Sequence, residues 1–297
     1  MEKKFHNTEP RVDPKLPLLG RGWAYQERLL ARRIVHYTGR ELVFECQTST
    51  KCECTGIDWQ RRHPSVFYRL EYPPLKVEYA NLRLNPRDQK SSELAWRDLI
   101  EHYSARKFTK YSDRLPALSS LAQRFHDIAP DMGTYLAGIW SSTLPDSLGW
   151  DAEEETHLPF EQCRAPSWSW ASSAKEFTGS GSTLSELRVV SAHCTPETAD
   201  AYGAVRDASI LVEGQFAKYR KRRPNKMIIN LRVESEVEDR KGTALFMLKL
   251  SHGSGGAWYI MILKASGRVE GAYERVRMSD TDVDAFDGVE RSVIRMV

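Results

Sequence analysis

Hydrophobic and polar residues alternate with a helical period in the first half of the chain and with a strand period in the second. In GWAYQERLLAR, residues 22–32, Trp23, Gln26 and Leu30 fall on one helix face with Glu27 beside them. Ile34–Tyr37 and Leu42–Phe44 then read as paired strands turned by Thr38, Gly39 and Arg40. Residues 46–88 carry Pro64, Pro73, Pro74 and Pro86 and lack helix signals. The aromatic residues Trp59, Phe67, Tyr68, Tyr72 and Tyr79 predict a packed loop there. A helix is predicted from Ser91 to Tyr103 with Leu94, Trp96, Leu99 and Ile100 as its apolar side. Another is predicted from Leu115 to Ala129, on Leu118, Leu121, Ala122 and Phe125, and a short one from Tyr135 to Trp140.

Short strands separated by turn residues dominate the second half. They are predicted at 186–191, 208–217, 226–233, 243–250, 257–263, 272–278 and 292–297, with SHGSGG and KASGRVEG as turns. The predicted class is α+β: a mixed helical and strand half, residues 1–180, packed on an antiparallel sandwich or barrel-like half, residues 181–297, in one unit.

Composition narrows the function. Forty-three basic residues face forty acidic ones, so no global field draws the chain to nucleic acid or an anionic membrane. The basic run 218–226 has one interleaved aromatic, Tyr219, too few for a base-stacking platform. Apolar runs are too short for stable membrane insertion. The start of the chain is polar, and five cysteines make no even framework, so a reducing, cytoplasmic setting is expected. Cys46, Cys52 and Cys54 with His63 have poor zinc spacing, because one intervening residue strains two-thiolate chelation. Asp280, Asp282, Asp284 and Asp287 fail the calcium-loop rule at Ala285 and Arg291. His193 and Cys194 are neighbours on a strand and point apart. No metal or cofactor is expected.

Candidate chemistry therefore gathers around tryptophan. In RAPSWSWAS, residues 164–172, period-two alternation places Trp168 and Trp170 on one side, with Arg164 directed elsewhere. Either these rings plug the seam between the two halves, or they wall a pocket that Trp140 and Trp150 complete. Glu27 either pairs with Arg21 or Arg114, or joins Trp23 and Gln26 in a polar pocket wall. Arg114 either makes an internal ion pair or holds a substrate carboxylate through its fork. The candidate donors are Gln26, Arg114 and Arg164. The candidate substrate-binding residues are Trp23, Glu27, Trp140, Trp150, Trp168 and Trp170, around an apolar cavity between the Trp23 helix and the Trp168/Trp170 segment.

Four blocks resemble the fungal heterokaryon-incompatibility (HET) domain. The first is LGRGWAYQERLLARRIVHYTGRELVFEC, where Arg21, Trp23, Gln26, Glu27, Leu30 and Arg33 fit the pattern and Phe44, Glu45 and Cys46 follow; Ala31 replaces a common serine. The others are residues 103–125, 135–150 and 164–172. The family's earlier signature, related to TIR-type nucleotide-cleaving domains, is absent from the sequence. The resemblance implies a HET-like protein, possible as a stand-alone member of fungal secondary metabolism. The reading it favours is a cofactor-independent cyclase, a Diels–Alderase or related pericyclase, acting on a hydrophobic small molecule by preorganisation and carbonyl hydrogen bonding. A non-catalytic recognition protein and a truncated NAD-cleaving effector are the alternatives. Oligomeric state stays open.

Overall fold

Helix α1 (Gly22–Leu30) begins where Gly22 lets the Phe108 ring come close; a Cβ there would meet that ring at 2.0 Å. Its buried stripe is Tyr25 and Leu29, one turn apart, and not the predicted Trp23 face. Ala31 turns extended and stops the helix. Strands β1 (Arg33–Tyr37), β2 (Leu42–Cys46), β3 (Ser49–Cys52) and β4 (Asp58–Gln60) form an antiparallel meander, with Val35 opposite Phe44 and Val43 opposite Cys52. This is a computed structural model, and it describes residues 17–39, 41–54, 58–60, 75–84, 88–152, 157–178, 185–219, 243–252, 258–281 and 283–297.

The predicted irregular stretch after Cys46 holds β3, β4 and the helix α2 (Leu75–Leu84). Proline density hid the helix: Pro73 and Pro74 stand just before it, a position helices tolerate, rather than within it. Helix α3 (Gln89–Ser104) is capped by Asp88, which accepts the Ser91 amide at 3.0 Å. Helix α4 (Ser119–Ile128) follows a short 3-10 turn at Pro116–Leu118 and buries Leu121, Ala122 and Phe125.

Residues 135–140, predicted as a short helix, are a hairpin. Tyr135–Leu136 (β5) pairs with Ile139–Trp140 (β6) across Ala137 and Gly138, whose φ values are 49° and 96°. Two successive positive φ angles make a hairpin turn and exclude a right-handed helix. The strand β7 (Asp151–Ala152), the short helix α5 (Phe160–Cys163) and β8 (Phe177–Thr178) complete this half.

The second half is one six-stranded sheet. Its order is β11 (Leu245–His252), β12 (Trp258–Ala265), β13 (Ala272–Thr281), β14 (Arg291–Met296), β10 (Val205–Lys218) and β9 (Arg188–Pro196). Strand β10 spans 14 residues, long enough to serve both ends of the sheet. Along its middle it pairs with β9 and β14, and its last residues, Phe216–Lys218, pair with β11. The sheet thereby curls into a partly closed ring. The contact of β13 with β14 is parallel, a departure from the all-antiparallel expectation. The predicted strand at 226–233 and most of the basic run 218–226 lie outside the described residues.

A single cluster of buried side chains runs from Tyr25 and Trp96 through Trp140 and Trp168 to Ile210, Met261 and Met296. Across the seam, Arg275 of β13 lies 3.6 Å over the Trp150 ring and donates to the Leu148 carbonyl at 2.8 Å and to the Trp150 carbonyl. Ser167 binds the backbone carbonyl of Val297 through both its amide and its hydroxyl.

The α1–α2–sheet corner is held by charge. Arg28 grips Glu45 with Nε at 2.8 Å and with Nη2; His36 Nε2 lies 3.0 Å from the same carboxylate, and Lys76 donates to the Arg28 carbonyl. Burial alone would push the Glu45 carboxyl up. The His36 hydrogen bond and the Arg28 charge outweigh it and hold the pKa at about 2. Because the folded-state pKa is depressed, this stabilisation is full above the ordinary value of 4.5 and disappears as pH falls through about 2. Glu45→Ala is expected to lower unfolding free energy by about 3 kcal/mol at neutral pH, since it strands the largely buried Arg28 guanidinium. Denaturant titrations of both proteins from pH 7 downward should show the gap narrowing between pH 4.5 and 2. A gap independent of pH would refute the assignment.

Candidate functional site

An open cleft of about 300 Å³ lies beside α3. One wall is α3 itself: Trp96 and Ile100 form its depth, and Lys90, Glu93, Leu94 and Arg97 its rim. The helical period explains this split, since 96 and 100 lie one turn apart on one row, while 90, 94 and 97, with 93 beside them, follow another. Leu94, placed on the apolar side from sequence, is 42% exposed because it faces this cleft rather than the core. Opposite stand Gly138, Ile139 and Leu144 of the hairpin and its following loop, with Trp150, Trp170 and Phe177 closing the end.

Its floor is set by one carbonyl. The oxygen of Gly138 accepts the indole N–H of Trp96 at 3.1 Å and that of Trp170 at 3.0 Å. Ser169 Oγ donates to the adjacent Ala137 carbonyl at 2.5 Å. Trp150 spends its N–H on the Trp168 carbonyl at 2.9 Å. All three cleft indoles therefore present carbon faces and edges, with no spare donor. Thr143 and Ser142 hydroxyls are also engaged, by the Trp140 carbonyl at 2.8 Å and more weakly by Met132 Sδ at 3.8 Å. Ser147 differs. Its hydroxyl is shielded from bulk water, lines the cleft and has no hydrogen-bond partner among the described residues.

The nine residues singled out from sequence divide sharply. Trp150 and Trp170 line this cleft. Trp140 and Trp168 are fully buried. Trp140 is enclosed by Trp96, Phe125 and Tyr135, with ring centroids 5.4, 6.0 and 5.1 Å away respectively. Trp23 is 40% exposed and donates its N–H to Asp113 at 3.2 Å. Gln26 Oε1 accepts the Ser120 amide at 2.9 Å, so it satisfies a first-turn N–H of α4 from 94 positions away in the chain. Glu27 is exposed; the ion pair expected of it is made by its neighbour Arg28 with Glu45. Arg164 has a left-handed backbone after α5 and reaches toward Glu197 at 3.7 Å on the surface.

Arg114 is buried without the expected carboxylate. It sits over the Phe108 and Trp170 rings at 5.7 and 5.3 Å from their centroids, with a long bond to the Ser104 carbonyl at 3.4 Å. Burial pulls its pKa down to about 10, still well above neutrality. It lies against Trp170 rather than in the cleft lining. Between α1 and Trp170 the rings of Tyr25, Tyr103 and Phe108 pack against one another, and the described cleft opens on α3. The residues missed from sequence are Ser147, Leu144, Ile139 and Phe177. Only the exposed position of an apolar Leu94 on a helix could have flagged the place.

No family model matches the chain, and no curated protein or solved structure matches it.

Hydrolytic readings find little support near the cleft. His157 Nδ1 lies 3.0 Å from Ser172 Oγ, but that hydroxyl already donates to the Ser169 carbonyl at 2.7 Å. Burial, with the Arg275 charge, holds the His157 pKa near 3, too weak a base at neutral pH. Cys163 is buried among the carbonyls of Leu158, Pro159 and Ala165, and burial pushes its thiol up. Among the described residues no helix is long and apolar enough to cross a membrane.

Gly138 is the position this geometry makes intolerant. A Cβ there would sit 2.5 Å from Trp170 Nε1 at a φ of 96°. Gly138→Ala is expected to cost about 1–3 kcal/mol from backbone strain before any ring displacement. Equilibrium unfolding followed by tryptophan emission measures it. Unchanged stability and an unchanged spectrum would mean the Gly138 carbonyl does not organise the two indoles.

Proposed function

We infer that the chain binds a hydrophobic small molecule in the α3 cleft and acts on it as a cofactor-independent cyclase of the pericyclic type. The observation that carries the reading is the cleft's composition: three indole rings with their N–H groups already spent, the Phe177 ring, and one unspent hydroxyl, Ser147. Such a surface favours an apolar, conjugated ligand, because flat aromatic walls bury its area and leave nothing polar unpaired. A unimolecular ring closure needs no nucleophile or proton-transfer pair. It needs the open chain held in its reactive conformer, an effect able to supply several kcal/mol of the barrier. The Ser147 hydroxyl would bind a conjugated carbonyl whose oxygen gains charge as bonds form, for about 1 kcal/mol or somewhat more.

The resemblance to HET-domain blocks supports the same place. Two of those blocks, 135–150 and 164–172, contribute Gly138, Ile139, Leu144, Trp150 and Trp170 to the cleft. A second reading, a recognition protein without catalysis, draws on a specific observation: Gln26, Arg114 and Arg164 are all engaged away from the cleft.

Leu144→Trp fills the cleft. It is expected to weaken binding of an apolar fluorescent probe such as anilinonaphthalene sulfonate at least tenfold, while Ser147→Ala leaves probe affinity within about twofold. Undiminished binding by Leu144→Trp would place the ligand elsewhere. Catalysis is read by chromatography with mass detection on conjugated polyene carbonyl compounds. A cyclisation product has the substrate's mass and a new retention time, and Ser147→Ala should slow its formation. Binding with no isomeric product across such a panel would leave the recognition reading and remove the cyclase.

A further inference from the structure

Away from the cleft, the end of β3 carries two thiols in an arrangement the proposed function does not use. Cys52 Sγ and Cys54 Sγ lie 3.0 Å apart. Neither sulfur is in a disulfide; Cys52 is buried and Cys54 exposed. The turn that joins them is pinned from two sides. The Glu53 amide donates to the Leu42 carbonyl at 3.0 Å, and Glu53 Oε2 accepts the Leu42 amide at 3.2 Å. Glu41 Oε2 accepts the Cys54 amide at 3.2 Å. Strand β3 is in register with β2, with Val43 opposite Cys52, so the inner thiol has a fixed seat.

Two chemistries suit two sulfurs and a nearby carboxylate, and distance separates them. The Glu41 carboxylate and both sulfurs lie within 4.8 Å of one another, a possible ligand set for a thiophilic cation. With zinc–sulfur bonds of about 2.3 Å, however, sulfurs at this spacing would subtend an angle of roughly 80° at the metal, far from tetrahedral. A disulfide needs only a further approach of about 1 Å. We propose that Cys52 and Cys54 are a paired-thiol modification site that closes to an intrachain disulfide when a small-molecule disulfide oxidises it. The exposed Cys54 thiolate attacks the oxidant's sulfur–sulfur bond and expels one oxidant thiolate, giving a mixed disulfide. The Cys52 thiolate then attacks the Cys54 sulfur and expels the second. Two protein thiols lose two protons and two electrons; one oxidant disulfide becomes two thiols.

Cys46 is the internal competitor. Hydrogen bonds from the Thr48 and Ser49 hydroxyls, each at 3.3 Å, overcome burial and bring its pKa to about 7. It is expected to take up a single adduct, because its neighbours are hydroxyls and not a second thiol.

Trypsin releases residues 52–61 as one peptide, between Lys51 and Arg61, with both cysteines and without Cys46. The full-length protein is incubated with glutathione disulfide, quenched in acid and digested. The expected peptide is lighter by two hydrogens, carries no glutathione and regains them with dithiothreitol. Closure should be at least tenfold faster in the folded protein than in denaturant, because the pinned turn and not sequence spacing brings the sulfurs together. Cys46→Ser should leave closure unchanged. Cys52→Ser should stop at one glutathione on Cys54. If that variant does not fold, the folded-to-denatured rate ratio of the unaltered protein decides. A stable glutathione adduct on the wild-type peptide, an unmodified peptide, a bond from Cys46 to either partner, or equal rates in folded and denatured chain would each overturn the proposal.

Discussion

A single backbone oxygen, that of Gly138, accepts two indole N–H groups at once. It joins α3, the β5–β6 hairpin and the 164–172 segment at one point. A carbonyl has two lone pairs, so both bonds can be made without competition. An indole N–H buried without a partner would cost about 1–3 kcal/mol, and this oxygen removes that cost twice. The geometry needs a residue with no Cβ at a positive φ, which glycine supplies. Once the two rings are fixed, their outer surfaces have to face something other than solvent-seeking polar groups, and the cleft is that surface.

Buried arginines tie the remaining parts to this centre, each by a different route. Arg28 has a carboxylate, Glu45. Arg275 has two carbonyls and the Trp150 ring. Arg114 has two rings and one distant carbonyl. A guanidinium is planar and weakly hydrated, so it tolerates such seats where a lysine ammonium would not. Desolvated contacts of this kind contribute about 2 kcal/mol each. Arg275 matters most for architecture, since it carries β13 of the ring onto the loop that presents Trp150. The cleft's end wall is therefore held by the sheet half of the molecule, although every residue lining it belongs to the first half.

The helix α1 shows how the same side chains serve attachment instead of a pocket. Trp23 fastens to Asp113, Gln26 to the start of α4 and Arg28 to β2. Each bond spans a long stretch of chain, so α1 works as a clasp over the segment 113–120. Its polar and aromatic character, which reads in isolation like a ligand wall, answers a structural need: helix starts and buried charges require partners.

The sequence by itself determined the α+β class, the helices α1, α3 and α4, and most strands of the second half. These follow from periodicity, which is a local property and survives without neighbours. Tertiary structure decided which rings would be core and which would be wall. Period-two alternation put Trp168 and Trp170 on one side, but the chain turns between them, with the Ser169 amide bonded to the Pro166 carbonyl and a 3-10 turn at Trp170–Ser172. Trp168 is sealed in the core and Trp170 reaches the cleft. Closure of the ring through β10 and β11, and the parallel step from β13 to β14, were equally out of reach. Those pairings join segments far apart in the chain, and the energy that selects them lies in contacts no local pattern encodes.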